Sequence, residues 1–339
     1  MNGTRKHVPV VVGVDAAGSA EAAVDWATAE AATRGCPLRI VHAFRPPLPA
    51  DGYGVVAPID TVSWAQTAGR LVLHEAVARA RSITSDIEVS TGLMPGTAAR
   101  ALRLEARNAQ LLVVGSRGRS GLPALLSRSV GHHVARRSPC PVIVIHPAAP
   151  GVESAHQGAG PSAPRVVLGI GPLSPGTAAI DFAFHAARQR GVPLIALSAW
   201  TPDTAADIET IPGPPALAEA AAGRALEQAL GDWRQQFPAV PVIPKLVCAE
   251  PAHALIGESI GAALLVVGSR SRRHIQQLLL GSLSQTVLHR ARCPVAVIDY
   301  SRTTARPEPP RTTDPGAASG PGPIARLRHQ LFWTRRASR

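Results

Sequence analysis

The sequence predicts an α/β protein that consists of two tandem copies of one domain, each built around a parallel β-sheet. Short apolar runs rich in β-branched residues alternate with longer helical stretches, a pattern typical of parallel strands with helices on both faces. The outline of residues 113–145 returns at residues 266–298, and a segment rich in Gly, Ala and Pro at residues 147–164 separates the copies. A chain of 339 residues is long enough for two such domains.

The first copy, repeat 1, opens with "VPVVVGVD" at residues 8–15, a β-branched run that ends in Gly and Asp and is typical of a buried parallel strand. A helix is predicted at residues 19–35, where Ser19 serves as the N-cap and Gly35 as the C′ residue. The further predicted strands are residues 37–44, 87–93, 110–116 and 141–145. The further predicted helices are residues 60–82, 96–109 and 129–138.

The second copy, repeat 2, follows the same order of elements. "RVVLGIG" at residues 165–171 matches the first strand, and residues 178–200 match the helix and strand that come next. Repeats of this length are duplicated domains rather than the short units of a solenoid. The predicted boundaries are a first domain at residues 8–147, a linker at 148–163, a second domain at 164–300 and a tail rich in Pro and Arg at 301–339.

The formal charge of +12 at first suggests a nucleic-acid partner. The tail holds eight Arg against one Asp and one Glu, so half of the excess charge lies outside the two domains. Specific nucleic-acid binding is therefore not predicted. The Arg-rich amphipathic stretch at residues 323–339 leaves two alternatives for the tail, which are contact with a membrane surface or a partner, and no role at all.

The four cysteines lie far apart and form no CxxC pair, which predicts small buried thiols rather than a zinc site. The sequence contains neither an apolar run long enough for a transmembrane helix nor a signal-peptide pattern at its N-terminus. We therefore expect a soluble protein in the cytoplasm.

One loop of repeat 1 carries the pattern of an anion site. The stretch "VVGSRG" ends a strand and contains Gly115 and Gly118. Glycines let backbone N–H groups approach phosphate oxygens, and a helix N-terminus adds unpaired N–H groups and a positive dipole end. Arg128 and Ser129 open the next predicted helix, where the hydroxyl of Ser129 adds a donor. Asp15 ends the first strand, where open α/β sheets bind ligands, and its carboxylate can accept hydrogen bonds from a ribose.

Together these features resemble the universal stress protein family, whose ATP motif is Gly, two residues, Gly, nine residues, and then Gly followed by Ser or Thr. "VGVD", "VVGSRG" and "CPVIVI" match the family in this order, and the resemblance covers about residues 8–147 and 164–300. It implies a five-stranded parallel sheet of Rossmann-like or flavodoxin-like type in each repeat. It also implies ATP as the ligand, with or without Mg²⁺.

The resemblance has a further implication for assembly, because members of the family often dimerise through their last strands. Residues 141–145 and 294–298 are the last strands of the two repeats. We expect them to pair within one chain, which would cover two apolar sheet edges. A homodimer stays open as an additional assembly.

The resemblance also assigns site residues. It places the adenine of the nucleotide near Gly13, Val14 and Val41, next to Asp15, whose position at the strand end suits a ribose. The residues expected near the phosphates are Gly115, Arg117, Gly118, Arg128, Ser129 and Val130. The equivalent residues of repeat 2 are Gly268, Arg270, Ser271, Gly281, Ser282 and Leu283.

Both repeats depart from the family motif. In repeat 1, Arg128 stands where the motif has Gly, and its guanidinium either crowds a phosphate or pairs with it. Repeat 2 has Ser271 in place of the middle Gly, and Gly171 at the position of Asp15. Nucleotide binding by one repeat, by both or by neither is compatible with these changes.

Three functions follow as hypotheses. The first is an adenine-nucleotide-binding module of the stress response that hydrolyses ATP slowly or not at all, because no paired carboxylates or general base accompany the loop. The second is an interaction or scaffold protein that has lost the nucleotide, which the degenerate glycines favour. The third is an enzyme of the wider adenine-nucleotide α-hydrolase type, which the missing "SGGxDS", "HxGH" and "KMSKS" motifs disfavour.

Overall fold

A computed structural model of the chain describes residues 8–16, 20–45, 60–116, 130–135, 138–146, 163–171, 176–201, 215–269 and 282–299. The predicted tail and nearly all of the predicted linker lie outside these residues, so the domain boundaries stay predictions. Within the described ranges, no helix is both long enough and apolar enough to cross a membrane.

The described residues form ten strands and eight helices in the alternating order that the sequence predicts. The strands of repeat 1 are β1 Val10–Val14, β2 Leu38–Phe44, β3 Val89–Pro95, β4 Leu111–Gly115 and β5 Val142–Ile145. The strands of repeat 2 are β6 Val166–Gly169, β7 Leu194–Trp200, β8 Val242–Cys248, β9 Leu264–Ser269 and β10 Val295–Asp299. The helices are α1 Ala20–Arg34, α2 Asp60–Ile83, α3 Ala98–Glu105, α4 Val130–Ala135, α5 Thr177–Arg190, α6 Pro215–Gln236, α7 Pro251–Glu258 and α8 Ser282–Arg290.

Glycine at the C′ position ends the first helix of each repeat. Gly35 follows α1 with φ of +59° and Gly191 follows α5 with φ of +62°, a left-handed conformation that strongly favours glycine. The third helix ends earlier than the predicted residue 109. Its last turn tightens into a 3₁₀ helix at Ala106–Asn108, and Ala109 is already extended at the approach to β4.

All ten strands belong to one sheet, in the order β3-β2-β1-β4-β5-β10-β9-β6-β7-β8. The strands within each repeat are parallel, which gives the five-stranded parallel sheet that the family resemblance implies. The repeats join where β5 and β10 run antiparallel, with Val144 opposite Val295 and Val142 opposite Val297. The two last strands of the repeats therefore lie side by side at the centre of the sheet.

The helices cover both faces of this sheet and form two hydrophobic cores. On one face, α1, α2, α5 and α6 pack over residues such as Val12, Ile40 and Leu168. On the other face, α3, α4, α7 and α8 pack over residues such as Val11 and Leu265. Successive residues of a strand alternate between the two cores, because side chains of a strand point to opposite faces.

An ion triad joins the two repeats on the face that α1 and α5 cover. The carboxylate of Glu30 in α1 is 4% exposed and lies 2.6 Å from the guanidinium of Arg34 and 2.5 Å from that of Arg190 in α5. The two arginines also lie over aromatic rings of the opposite repeat, Arg34 over Phe182 at 5.9 Å and Arg190 over Trp26 at 5.7 Å. One buried acid thus pairs with a cation from each repeat, and each of these cations reaches an aromatic ring of the other repeat.

Two histidines lie at the junction on the opposite face. His146 follows β5, and its Nε2 lies 2.6 Å from the carbonyl oxygen of Leu288 in α8. Its Nδ1 and the Nε2 of His289 are buried without a hydrogen-bond partner among the described residues. Burial, followed by the proximity of His146, lowers the pKa of His289.

Acidification is expected to destabilise the protein through His289. A histidine in the unfolded chain binds its proton near about pH 6.5, whereas folded His289 stays neutral to a lower pH because its pKa is lowered. The unfolded state therefore binds more protons between the two pKa values. The contribution of neutral His289 to the free energy of unfolding is complete above the pKa of histidine in the unfolded chain. It is lost as the pH falls toward the lower pKa of His289 in the folded protein.

Urea unfolding on both sides of this window tests the expectation with wild type and His289→Gln. The wild type should lose more of its free energy of unfolding on acidification than the variant, because glutamine does not titrate. Equal losses in the two proteins would contradict a role for His289, whatever the other histidines contribute.

Three of the four thiols are buried, as the sequence predicts. Cys36, Cys140 and Cys293 lie inside the protein, whereas Cys248 at the end of the outer strand β8 is exposed. Burial raises the pKa of Cys293 to about 12, so its thiol stays protonated at neutral pH. The expectation of a buried thiol is wrong for Cys248, because an outermost strand has no neighbour to cover its end.

Candidate functional site at the carboxyl ends of the strands

The sheet of repeat 1 has a switch point, where the connections of the chain leave in opposite directions. The strand order β3-β2-β1-β4-β5 puts this point between β1 and β4. Open α/β sheets bind ligands in the crevice at the carboxyl ends of such strands. Asp15 directly follows β1, and Gly115 is the last residue of β4, so both predicted site residues lie at this crevice.

Gly13 lies in β1 under the third helix. A Cβ atom at Gly13 would lie 2.8 Å from Cδ1 of Leu102 in α3, closer than normal packing permits. Gly169 has the same place in repeat 2, where a Cβ atom would lie 3.2 Å from Cδ1 of Leu255 in α7. A leucine side chain thus lies close above each glycine, and the predicted adenine contact of Gly13 stays a prediction.

Val14 and Val41, also predicted near the adenine, point to opposite faces of the sheet. Val14 is 7% exposed in the core beneath α1 and α2, and Val41 is 1% exposed in the core beneath α3 and α4. The structure therefore does not bring these two side chains together. Because both are buried, a ligand at this crevice would meet mainly their backbone atoms.

His42 is a residue of this region that the sequence reasoning missed. Its Nδ1 lies 2.9 Å from the carbonyl oxygen of Val14, the residue before Asp15. Its ring also packs close to Gly69 of α2, where a Cβ atom would lie 3.0 Å from Cδ2 of His42. The available signal was a polar residue inside the apolar run "LRIVHAF", next to a predicted site residue. Repeat 2 has Ser198 at this position.

The phosphate loops fall mostly outside the described residues. Val130 is the first residue of α4, and its side chain packs against the core beneath α3 and α4. A Cβ atom at Gly131 would lie 3.4 Å from a methyl group of Val114, so the start of α4 lies against β4. The predicted site residues outside the described ranges are Arg117, Gly118, Arg128, Ser129, Arg270, Ser271 and Gly281.

The corresponding crevice of repeat 2 lies at the ends of β6 and β9. Gly268 lies in β9, and Ser282 is the first residue of α8. Leu283 packs against the core beneath α7 and α8. Gly171 follows β6 at the place that Asp15 has in repeat 1, so this crevice lacks the corresponding carboxylate.

Comparisons with known proteins agree with this architecture. The universal stress protein family model matches residues 8–146 and 163–299. A universal stress protein of Mycobacterium tuberculosis (strain ATCC 25618 / H37Rv) is 34% identical over 314 residues, which cover 89% of this chain and 100% of that protein. A universal stress protein of Mycolicibacterium smegmatis (strain ATCC 700084 / mc(2)155) is 32% identical over 307 residues, which cover 85% of this chain and 96% of that protein.

A solved structure shows the same fold over most of the chain. A universal stress protein from Archaeoglobus fulgidus DSM 4304 has a TM-score of 0.62 at 18% identity, with 86% of this chain and 97% of that chain covered. A universal stress protein in complex with cAMP is 30% identical and has a TM-score of 0.34, with 42% of this chain and 98% of that chain covered. The family model matches twice, once in each repeat, and the chain therefore belongs to the universal stress protein family.

Proposed function

We propose that repeat 1 binds ATP or a related adenine nucleotide, and that the protein acts in the cytoplasm as a nucleotide-binding regulatory module of the stress response. The observation that carries this proposal is the position of Asp15 and Gly115 at the ends of β1 and β4, on the two sides of the switch point. Membership of the universal stress protein family supports it.

Each residue at this crevice has a chemical role in the proposal. The carboxylate of Asp15 accepts hydrogen bonds from the ribose hydroxyls. Gly115 has no side chain, so a phosphate can approach the backbone that follows β4. The hydrogen bond between His42 and the Val14 carbonyl holds the backbone before Asp15 in place, which reduces the ordering that binding requires.

A bound Mg²⁺ ion would rely mainly on phosphate oxygens for its ligands. Among the described residues, no group of three or more His, Cys, Asp or Glu is arranged to hold a metal ion. Mg²⁺ often binds in this manner, with few protein ligands and several waters. Asp15 is also the single acidic residue at the described ends of β1, β2 and β4, so we propose slow or absent hydrolysis rather than efficient catalysis.

For repeat 2 we propose a scaffold role without nucleotide as the second candidate. The observation that favours it is Gly171, which leaves the crevice without the ribose acceptor of repeat 1. The chain would then contain one nucleotide-dependent half and one half that works through its surface.

Calorimetric titration of the full chain with ATP tests the nucleotide proposal. The wild type is expected to bind with one site, and Asp15→Asn is expected to bind about tenfold more weakly or worse, because a hydrogen bond to a charged group contributes about 1.5–3 kcal/mol. The control is Asp86→Asn, which changes an exposed carboxylate in the turn between α2 and β3 and should leave the affinity unchanged.

Two outcomes would contradict the proposal. The first is a wild-type protein that gives no binding heat with ATP at about millimolar concentration. The second is an Asp15→Asn variant that binds as tightly as the wild type, which would move the site away from this crevice.

A further inference from the structure

The ten-stranded sheet ends in β3 on one side and in β8 on the other. The hydrogen bonds at the two ends of β3 show which of its residues face β2. The Leu38 amide donates to the Glu88 carbonyl at 2.8 Å, and the Gly96 amide donates to the Phe44 carbonyl at 2.8 Å. Backbone groups of successive strand residues point to alternate sides, so the even-numbered residues of β3 bond to β2.

The odd-numbered residues therefore direct their backbone groups away from the sheet. Val89, Thr91 and Leu93 each present an N–H donor and a C=O acceptor along this outer edge. No strand of the described ranges pairs with it. An edge of this kind is a template for another strand, and proteins usually block it with proline or charge.

The opposite edge carries both of these protections. The Leu194 amide of β7 donates to the Pro241 carbonyl, so the odd-numbered residues of β8 bond to β7. By the same alternation, Pro244 directs its backbone groups away from the sheet. Pro244 lies opposite Ala196 of β7, and Thr91 lies opposite Ile40 of β2. Pro244 and Thr91 therefore occupy equivalent positions in the outer strands of the two repeats. Proline has no N–H to offer there, and Lys245 beside it is a half-exposed cation that pairs with Glu258. β3 contains no charged residue, and its one proline, Pro95, stands at its end.

We infer that β3 is the interface for a second copy of this chain, which pairs with it antiparallel about a two-fold axis at Thr91. This register places Thr91 opposite Thr91 of the second copy, and Val89 opposite Leu93 at both ends. Threonine pairs and pairs of apolar residues are favourable across strands, and no charged residue of one β3 opposes a charged residue of the other. The interface is self-complementary, as a two-fold dimer requires.

The surroundings of β3 are compatible with this pairing. The Thr91 carbonyl accepts a long hydrogen bond of 3.4 Å from Arg39, which leaves its second lone pair for a partner strand. An open groove between α2 and the edge is lined by apolar residues of both elements together with the polar side chains of Gln66 and Arg70. The other lining residues are Phe44, Val62, Leu73, Thr91, Leu93 and Pro95. A second β3 would bring its own valine and leucine side chains to the rim of this groove and cover apolar surface.

The central junction of the same molecule provides a precedent. There, two copies of this domain already join by antiparallel pairing of the outer strands of two parallel sheets, with Val144 opposite Val295. Pairing at β3 repeats this geometry between chains, whereas Pro244 prevents it at β8. The expected product is a dimer that ends at two blocked edges, and not an open filament.

Sedimentation of the full chain over a wide concentration series tests the inference. The wild type is expected to shift from 35.3 kDa to twice that mass as its concentration rises. Thr91→Pro removes the outward amide, and Thr91→Lys keeps the amide but brings two like charges together at the axis. Both variants should raise the dissociation constant at least about tenfold, the factor that corresponds to 1.4 kcal/mol.

Thr91→Val is the matched control, because it keeps the amide and a β-branched side chain and should dimerise like the wild type. Circular dichroism checks that each variant is folded, and Thr91→Lys keeps the test valid if the proline variant unfolds. A wild type that stays monomeric at every concentration would overturn the inference. Dimers of Thr91→Pro and Thr91→Lys that are as tight as the wild type would also overturn it.

Discussion

Glu30→Ala is expected to lower the free energy of unfolding by about 3–5 kcal/mol, the cost of breaking a buried ion pair from one side. The carboxylate of Glu30 is 4% exposed and is shared by Arg34 and Arg190, whose side chains are 14% and 17% exposed. Its removal leaves two half-buried cations together without an anion. Urea unfolding followed by circular dichroism measures the loss.

The matched control is Glu227→Ala, which removes the acid of an exposed pair with Arg234. The side chain of Glu227 is 52% exposed, and exposed pairs contribute at most about 1 kcal/mol. If Glu30→Ala cost no more than this control, the triad would not hold the two repeats together.

Phe184→Ala is expected to cost about 3–5 kcal/mol, because it opens a cavity in the core of repeat 2. Phe184 is 0% exposed. Its ring centroid lies 6.1 Å from that of Trp233 and 5.4 Å from that of Phe237, both near the end of α6. Chemical unfolding gives the stability, and the fluorescence of Trp233 should change because its neighbour is lost.

Thr28→Ala provides the comparison in repeat 1, since Thr28 has the position in α1 that Phe184 has in α5. The Thr28 hydroxyl donates to the Val24 carbonyl of its own helix at 2.7 Å. Its loss removes one methyl group and one local hydrogen bond, so a cost of about 1–2 kcal/mol is expected. Equal costs for the two variants would show that the aromatic cluster adds nothing to the core of repeat 2.

The order of elements could be predicted because its causes are local. The β-branched run before Asp15 has the pattern of a buried parallel strand, and Gly35 supplies the left-handed residue that ends α1. The ion triad could not be predicted in this way. Glu30 and Arg190 are 160 positions apart, and they meet only because the two repeats join at β5 and β10.

The candidate site was predictable where strand ends decide the position, as for Asp15 and Gly115. It was not predictable where the direction of a side chain decides, because residues carried over from a family motif do not record which face each one takes. Val14 and Val41 were grouped around one adenine, yet strand alternation and pairing put their side chains on opposite faces. His42 was missed because its partner is a backbone carbonyl, which no motif displays.

The antiparallel pairing of β5 and β10 also decides where the two candidate crevices lie. Parallel strands on one side of that seam all finish toward one rim of the molecule, and those on the other side finish toward the reverse rim. The two candidate crevices therefore open at opposite rims of the sheet. A ligand bound in one crevice would not block access to the other. The pairing of β5 and β10, the ion triad between α1 and α5, and the contact of His146 with Leu288 all connect the repeats, so any coupling between the crevices would run through this junction.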